Sequence, residues 1–412
     1  MTSTAGQKIR GRNFLMTPGP TNVPFDVLNA IHSPAVDLSD PDFIALAKSC
    51  FIDLQKVFHT QGPVFTYIAN GHGAWEAALS NLLDEGERVL VPATGQFSET
   101  WAAMADDLGI EIDYIDGDWR HAVDPAAIEA RLKDDSDHKI KAVMLVQTDT
   151  ATAITTDPLV VRNAIDAAGH PALFMVDTVA ALGTIPFRMD EWGIDVAVGA
   201  SQKGLMVPPG ISFTAAGEKA LAKCRETRRP RSYWDWLARL EPQHYRWFCG
   251  TPPEHLIFGL RRSLDLLAAE GEESIFARHR RLAGAVHAAV EHWAAEDNGV
   301  QFNAMVPEER ALSVTTVLTP EGVDAEAFRE ILRERFNVSL GGGLGLLQGR
   351  AFRIAHMGEM NEPTLLGALA AVETAMKIAG IVHLPGGINA AMDYLAEALA
   401  EDGDAHQATE LG

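Results

Sequence analysis

Two hydrophobic rhythms alternate through the middle of the chain. Short, nearly unbroken apolar runs, RVLVPA from Arg88, KAVMLVQT from Lys141, ALFMVDT from Ala172 and IDVAVGA from Ile194, predict strands, and EIDYIDG from Glu111 predicts a shorter one. Between them apolar residues recur at helical spacing. ETWAAMADDLG follows the first strand, DPAAIEARLKDD has Asp124 as its expected N-cap and Pro125 at its first position, and DPLVVRNAIDAAG closes at Gly169. Strand–helix repetition of this kind builds a mostly parallel sheet with helices on both faces.

The texture changes after about residue 255. One long helical stretch runs from HLIFGLRRSLDLLAAEG into EESIFARHRRLAGAVHAAVEHWAAE. Then LSVTTVLTP (strand), DAEAFREILRERF (helix), AFRIAHMG (strand) and NEPTLLGALAAVETAMKIAG (helix) predict a smaller α+β unit. The tail EDGDAHQATELG is polar and expected to fray.

Composition narrows the function classes. The chain has 412 residues, enough for two or three domains, and its net charge of −22 argues against nucleic acid or anionic membrane as partners. Cys50, Cys224 and Cys249 are widely spaced and form no CxxC, so neither a disulfide framework nor a zinc site is indicated. The start carries no apolar signal core, and no apolar run is long enough to span a bilayer; a cytoplasmic location is the expectation.

Candidate chemistry gathers where a parallel sheet keeps it, at the carboxyl ends of strands. In YIANGHGAWEAAL, Gly71 and Gly73 form a turn before a helix expected from about Ala74, whose free amides would suit a phosphate; the plain alternative is a glycine-rich connector. Asp177 ends an apolar strand, where an acid is costly unless paired or functional, although it could merely cap the next turn. Lys203, in VGASQKGLMVPPG, follows a buried strand and precedes Pro208-Pro209-Gly210. It is either a chance loop residue or a nucleophile, because burial lowers an amine's pKa and makes it reactive. An acid to hold a ring nitrogen protonated, a Schiff-base lysine and a phosphate-binding helix start are together the parts of a pyridoxal-phosphate site.

Other constellations fail. GASQKG lacks the second glycine of a nucleophile elbow, and GGGLGLLQGRAFRIAHMG leads into a strand rather than a helix, unlike a dinucleotide fingerprint. His279, His287 and His292 lack metal-ligand spacing and are expected on a solvated helix face.

TPGPTNVP, GHGAWEAAL, MVDTVAALG, FRMDEWGIDVAVGASQKGLMVPPG and GRAFRIAHMG resemble the alanine/serine–glyoxylate aminotransferase group of class V pyridoxal-phosphate aminotransferases, from about Phe14 to the final helices. The resemblance implies an α/β, fold-type I architecture. A large, mostly parallel-sheet cofactor domain (26–270) would follow an N-terminal arm (1–25) that completes the active site. A smaller α+β domain (271–402) and a flexible tail (403–412) would come after it. It also implies a homodimer with shared active sites. By position, Lys203 is the implied Schiff-base lysine, and Asp177 the implied partner of the pyridine nitrogen. Asn70, Gly71, His72 and Gln202 would surround the phosphate of pyridoxal 5'-phosphate, with Thr251 reaching in from the other subunit. Phe97 would stack on the ring and Thr150 would neighbour its phenolic oxygen. Arg353 would clamp the substrate carboxylate, with Gly19 and Thr150 beside it.

The chain departs from that pattern in places. Phe248 replaces a tyrosine three residues before Thr251, which implies a phosphate hydrogen bond that is lost or supplied elsewhere. Asp149 and Ala153 stand where relatives often have Glu and Gly, and VDLSDPDF lacks a His-Arg pair. The function expected is ping-pong transamination between serine or alanine and a 2-oxo acid, glyoxylate first. The alternatives are an aspartate– or hydroxyaspartate–glyoxylate aminotransferase, a same-fold lyase using Cys249, and a catalytically silent binding protein.

Overall fold

The computed structural model of the protein describes residues 11–410, the side chains of 401–410 excepted. The apolar runs assemble into a seven-stranded sheet. Its order is Val64–Tyr67, Ser212–Ala216, Val196–Ala200, Leu173–Asp177, Ile140–Val146, Arg88–Pro92, Glu111–Ile115. Only Ser212–Ala216 runs antiparallel to its neighbours. Near-continuous apolar runs suit such strands because both faces are covered. In Leu173–Asp177, Phe174 and Val176 join the core on one face, while Leu173 and Met175 join the core on the other. Successive side chains alternate across a strand, so Asp177 shares the face of Leu173 and Met175.

A second sheet orders Phe14–Met16, Val338–Gly342, Ala351–Ala355, Val314–Leu318 and Gln301–Phe302. Its core takes Val286, Trp293, Phe328, Phe352, Leu369 and Met376, from the sheet and from helices Glu272–Trp293, Ala325–Phe336 and Glu362–Ala379. The expected N-terminal arm is therefore only partly an arm. Phe14–Met16 pairs in parallel with Val338–Leu340, because its open backbone donors and acceptors need a ladder. Residues 1–10 of the expected arm lie outside the described residues.

The helix Gly387–Glu410 runs into the segment expected as tail, whose last two residues lie outside the described residues. Two further expectations are corrected. The long helical stretch is two helices, Glu254–Glu270 and Glu272–Trp293, divided at Gly271 with φ 83°. His279 is not on a solvated face. It is 1% exposed, donates from Nδ1 to the Ile275 carbonyl at 2.7 Å and accepts the Gly358 amide at Nε2, and burial pushes its pKa down to about 4. His287 and His292 are half-buried: the His287 ring meets those of Phe302 and His356, and His292 Nε2 lies 3.1 Å from the Pro385 carbonyl.

Candidate active site

The carboxyl ends of the central strands and the start of the helix Gly71–Leu82 enclose a cavity of about 90 Å³. Gly71, His72, Trp75, Phe97, Thr150, Asp177, Gln202 and Lys203 are among its lining residues. Sequence reasoning had named all of these but Trp75. A larger cavity of about 290 Å³ is also lined by an acid and a lysine, Asp53 and Lys56, but these pair with each other at 2.8 Å and the lysine side chain is 74% exposed. Size therefore does not identify the site; converging chemistry does.

The helix begins at Gly71, three residues before its expected start. Asn70 caps it, its side-chain oxygen accepting the His72 amide at 3.1 Å. The two glycines lie in the first turn, and a Cβ on Gly73 would collide with Ala69. Asn70 is exposed, and its side-chain oxygen serves this cap rather than the cavity.

Asp177 is 4% exposed. Its Oδ1 accepts the Val179 amide at 2.7 Å, and its Oδ2 accepts the Trp75 indole N–H at 2.7 Å. Burial pushes its pKa up to about 7, against those two hydrogen bonds, with Asp149 adding to the rise and Lys203 opposing it. Lys203 follows the strand Val196–Ala200 in a tight turn where the Met206 amide donates to its carbonyl. Its ammonium donates to the carbonyl of Pro18, and a Cβ on Gly19 would strike it. Gly19 is thus at the site through its missing side chain. Burial lowers the Lys203 pKa to about 8, helped by Arg353 and opposed by Asp177 and Asp149.

Arg353 is 7% exposed and does not line the cavity itself. Its Nε donates to the Gly342 carbonyl at 2.6 Å and its Nη1 to the Thr150 carbonyl at 2.9 Å. No hydrogen bond among the described residues takes its Nη2. Burial lowers its pKa to about 10, so it remains a cation at neutral pH. Arg350 is exposed, on the surface rather than beside Arg353.

Asp149, noted in the sequence only as a departure, is fully buried. It accepts the Phe97 amide at 2.7 Å, the Ser98 amide at 3.4 Å and the Ala151 amide at 2.9 Å. It thereby caps the helix Gln96–Asp107, whose own N-cap, Gly95, has no side chain to do so. Burial raises its pKa against those amides. Ala153 takes φ 59°, a left-handed conformation that favours the glycine of relatives.

Thr251, expected to reach the other subunit's phosphate, is exposed and off its own subunit's cavity. Phe248 is 2% exposed and packs 5.8 Å from Phe51 in its own subunit's core. Its ring fills an apolar niche of the large domain's core. Cys249 is exposed and likewise off the cavity.

Trp75 and the capping role of Asp149 escaped sequence reasoning. A tryptophan one turn into an apolar helix reads as core, and only folding selects the acceptor for its N–H.

The chain is similar over nearly its whole length to known proteins. The serine–glyoxylate aminotransferase of Methylorubrum extorquens is 42% identical over 94% of this chain and 97% of its own. The L-aspartate–glyoxylate aminotransferase of Paracoccus denitrificans is 36% identical over 94% and 98%. The crystal structure of pyridoxamine–pyruvate aminotransferase from Mesorhizobium loti superposes with a TM-score of 0.86 at 27% identity, covering 93% of this chain and 97% of that one. The fold is accordingly the fold-type I architecture of such enzymes. The family model for class V aminotransferases matches residues 47–348, and the chain belongs to the class V aminotransferases.

Proposed function

We propose that the protein is a pyridoxal 5'-phosphate-dependent aminotransferase that moves the amino group of serine or alanine to glyoxylate. The observation that carries the reading is a half-buried lysine and a buried carboxylate lining one small cavity. The residues present fit the cofactor. One end of the Gln202 side-chain amide is buried without a partner; turned so that its Nε2 occupies that place, it would donate to a phosphate oxygen. The first-turn amides of Gly71–Leu82, with His72 and Gln202, suit the phosphate; Phe97 offers a ring face, Thr150 a polar neighbour and Asp177 the partner for the ring nitrogen. When bound, the cofactor supplies the aldehyde and the electron sink that make the substrate's Cα proton acidic.

The chain's own groups do the rest. Arg353 takes the substrate carboxylate through its free Nη2, and Thr150 holds the guanidinium by its carbonyl. Lys203, with its pKa near 8, is in part a neutral amine at neutral pH; it takes the Cα proton and later returns it. Asp177, as a carboxylate, keeps a proton on the ring nitrogen. The burial of Asp177 and Arg353 limits bulk water around them and strengthens their electrostatic contacts. The donor departs as its oxo acid before glyoxylate binds, so one site serves both half-reactions in ping-pong order.

The substrate choice is supported by the names of the relatives and by Arg353, the cation beside Thr150 with a donor to spare. A dicarboxylic donor would need a second cation, since an unpaired carboxylate in a closed site is strongly disfavoured. The Paracoccus denitrificans relative makes aspartate or a hydroxyaspartate the competing donor. We also propose a cytoplasmic homodimer in which exposed Thr251 reaches the neighbouring copy's phosphate subsite. Among the described residues no helix is long and apolar enough to cross a membrane. The test is kcat/KM for serine, alanine, aspartate and glutamate with glyoxylate held fixed. Serine or alanine should lead. Aspartate exceeding serine tenfold, about 1.4 kcal/mol in transition-state binding, would overturn the choice of donor.

A further inference from the structure

We propose that Trp75 is the positioning residue for Asp177: its indole N–H and the Val179 amide each hold one carboxylate oxygen and aim the acid into the cavity. The parity of the strand Leu173–Asp177 turns Asp177 to the face that Trp75 and Trp101 cover. There the carboxylate meets one donor per oxygen, each at 2.7 Å. Without the indole, Oδ2 would be an anionic oxygen with no protein donor among the described residues.

Trp75 is itself held rigidly. It is 2% exposed and stacks on Trp101 with ring centroids 5.7 Å apart and planes 14° apart. His72 lies against it at 4.5 Å, and Phe97 meets it edge-on at 6.4 Å. The same aromatic group supplies a contrast, because the Trp101 N–H is buried with no partner. Burial in this cluster therefore does not by itself give an indole an acceptor. The Trp75–Asp177 bond joins residues 102 positions apart and sits at the chemistry, whereas the neighbouring indole is left unpaired.

A donor to the ionised form favours that form, opposing the burial that drives Asp177 toward its neutral acid. Trp75 thus does two things for Asp177. It biases the acid toward its carboxylate form, and it fixes the direction from which its remaining lone pairs reach a ligand. Its consequence for catalysis rests on the proposed pairing of Asp177 with the ring nitrogen; its hold on the carboxylate does not.

Two variants separate the hydrogen bond from packing. Trp75→Phe removes the donor and some volume. Site-specific replacement of Trp75 by β-(3-benzothienyl)alanine keeps the shape and exchanges N–H for sulfur. The full-length protein without cofactor, labelled with carboxyl-13C aspartate and assigned with Asp177→Asn, reports the Asp177 titration directly. Its midpoint should rise by about one pH unit in both variants, a tenfold change in ionisation at fixed pH. In the loaded enzyme, kcat should fall about tenfold while KM for the amino donor stays within about twofold. An unmoved midpoint in the benzothienyl protein overturns the assignment, whatever the activity. A raised midpoint together with wild-type turnover in Asp177→Asn supports the hold of Trp75 on Asp177 and overturns instead the proposed role of Asp177.

Discussion

Asp177→Asn should make the cofactor-free protein more stable at alkaline pH while removing most of its turnover. Burial lifts the Asp177 pKa from 3.8 to about 7. The sign follows from linkage. A group whose pKa is higher in the folded chain contributes stability that is fully present below its unfolded value and is lost as pH rises through the folded value. Between those two values the folded protein holds the extra proton. Integrated from roughly pH 5 to 8, this group costs the wild-type protein about 3 kcal/mol that an asparagine does not. Asparagine pays a fixed penalty instead. Both carboxylate oxygens accept N–H donors, so its amide nitrogen must face one of them. That cost, about 1–3 kcal/mol, does not vary with pH and leaves the difference in slope untouched. Urea denaturation of both cofactor-free proteins at several pH values and one protein concentration reads it. The stability of the variant relative to wild type should climb by about 3 kcal/mol from roughly pH 5 to 8. Parallel pH profiles would show that Asp177 is not buried as an unfavourable anion, and the reasoning would fail.

Three other substitutions follow from the same contacts. Gly19→Ala places a methyl against the Lys203 ammonium at a backbone φ of 150° that disfavours a side chain; it should abolish the borohydride-reducible attachment of cofactor to Lys203 and lower the melting temperature. Asp149→Ala strips acceptors from the Phe97, Ser98 and Ala151 amides; it should destabilise the protein by about 2–4 kcal/mol in denaturant titrations and weaken cofactor retention on dialysis. Phe248→Tyr puts a hydroxyl into the core beside Phe51 and should lower stability by about 1–3 kcal/mol; tighter cofactor binding in its place would mean the ring reaches a phosphate.

The large sheet and the two central site residues were legible in the sequence because their signals are local. A parallel strand covered on both faces must be an almost unbroken apolar run, so Asp177 and Lys203 stand out at the ends of Leu173–Asp177 and Val196–Ala200. Helix starts at Asp124 and Asp157 were readable for the same reason, since a capping side chain bonds an amide two residues on. What the sequence could not carry was the choice of partner across the fold. Periodicity says that a face is buried and not what it is buried against. His279 therefore looked solvated until the small sheet covered it, and Phe14–Met16, too short to show a period, gained its place only from the strand at Val338. The site depends on such choices at three points: Pro18 and Gly19 against Lys203, 185 positions from Pro18; Asp149 on the Phe97 amide; and Trp75 on Asp177. Each is a polar group whose burial is tolerable only because a distant segment supplies its hydrogen bond, and that supply exists only once the chain has folded.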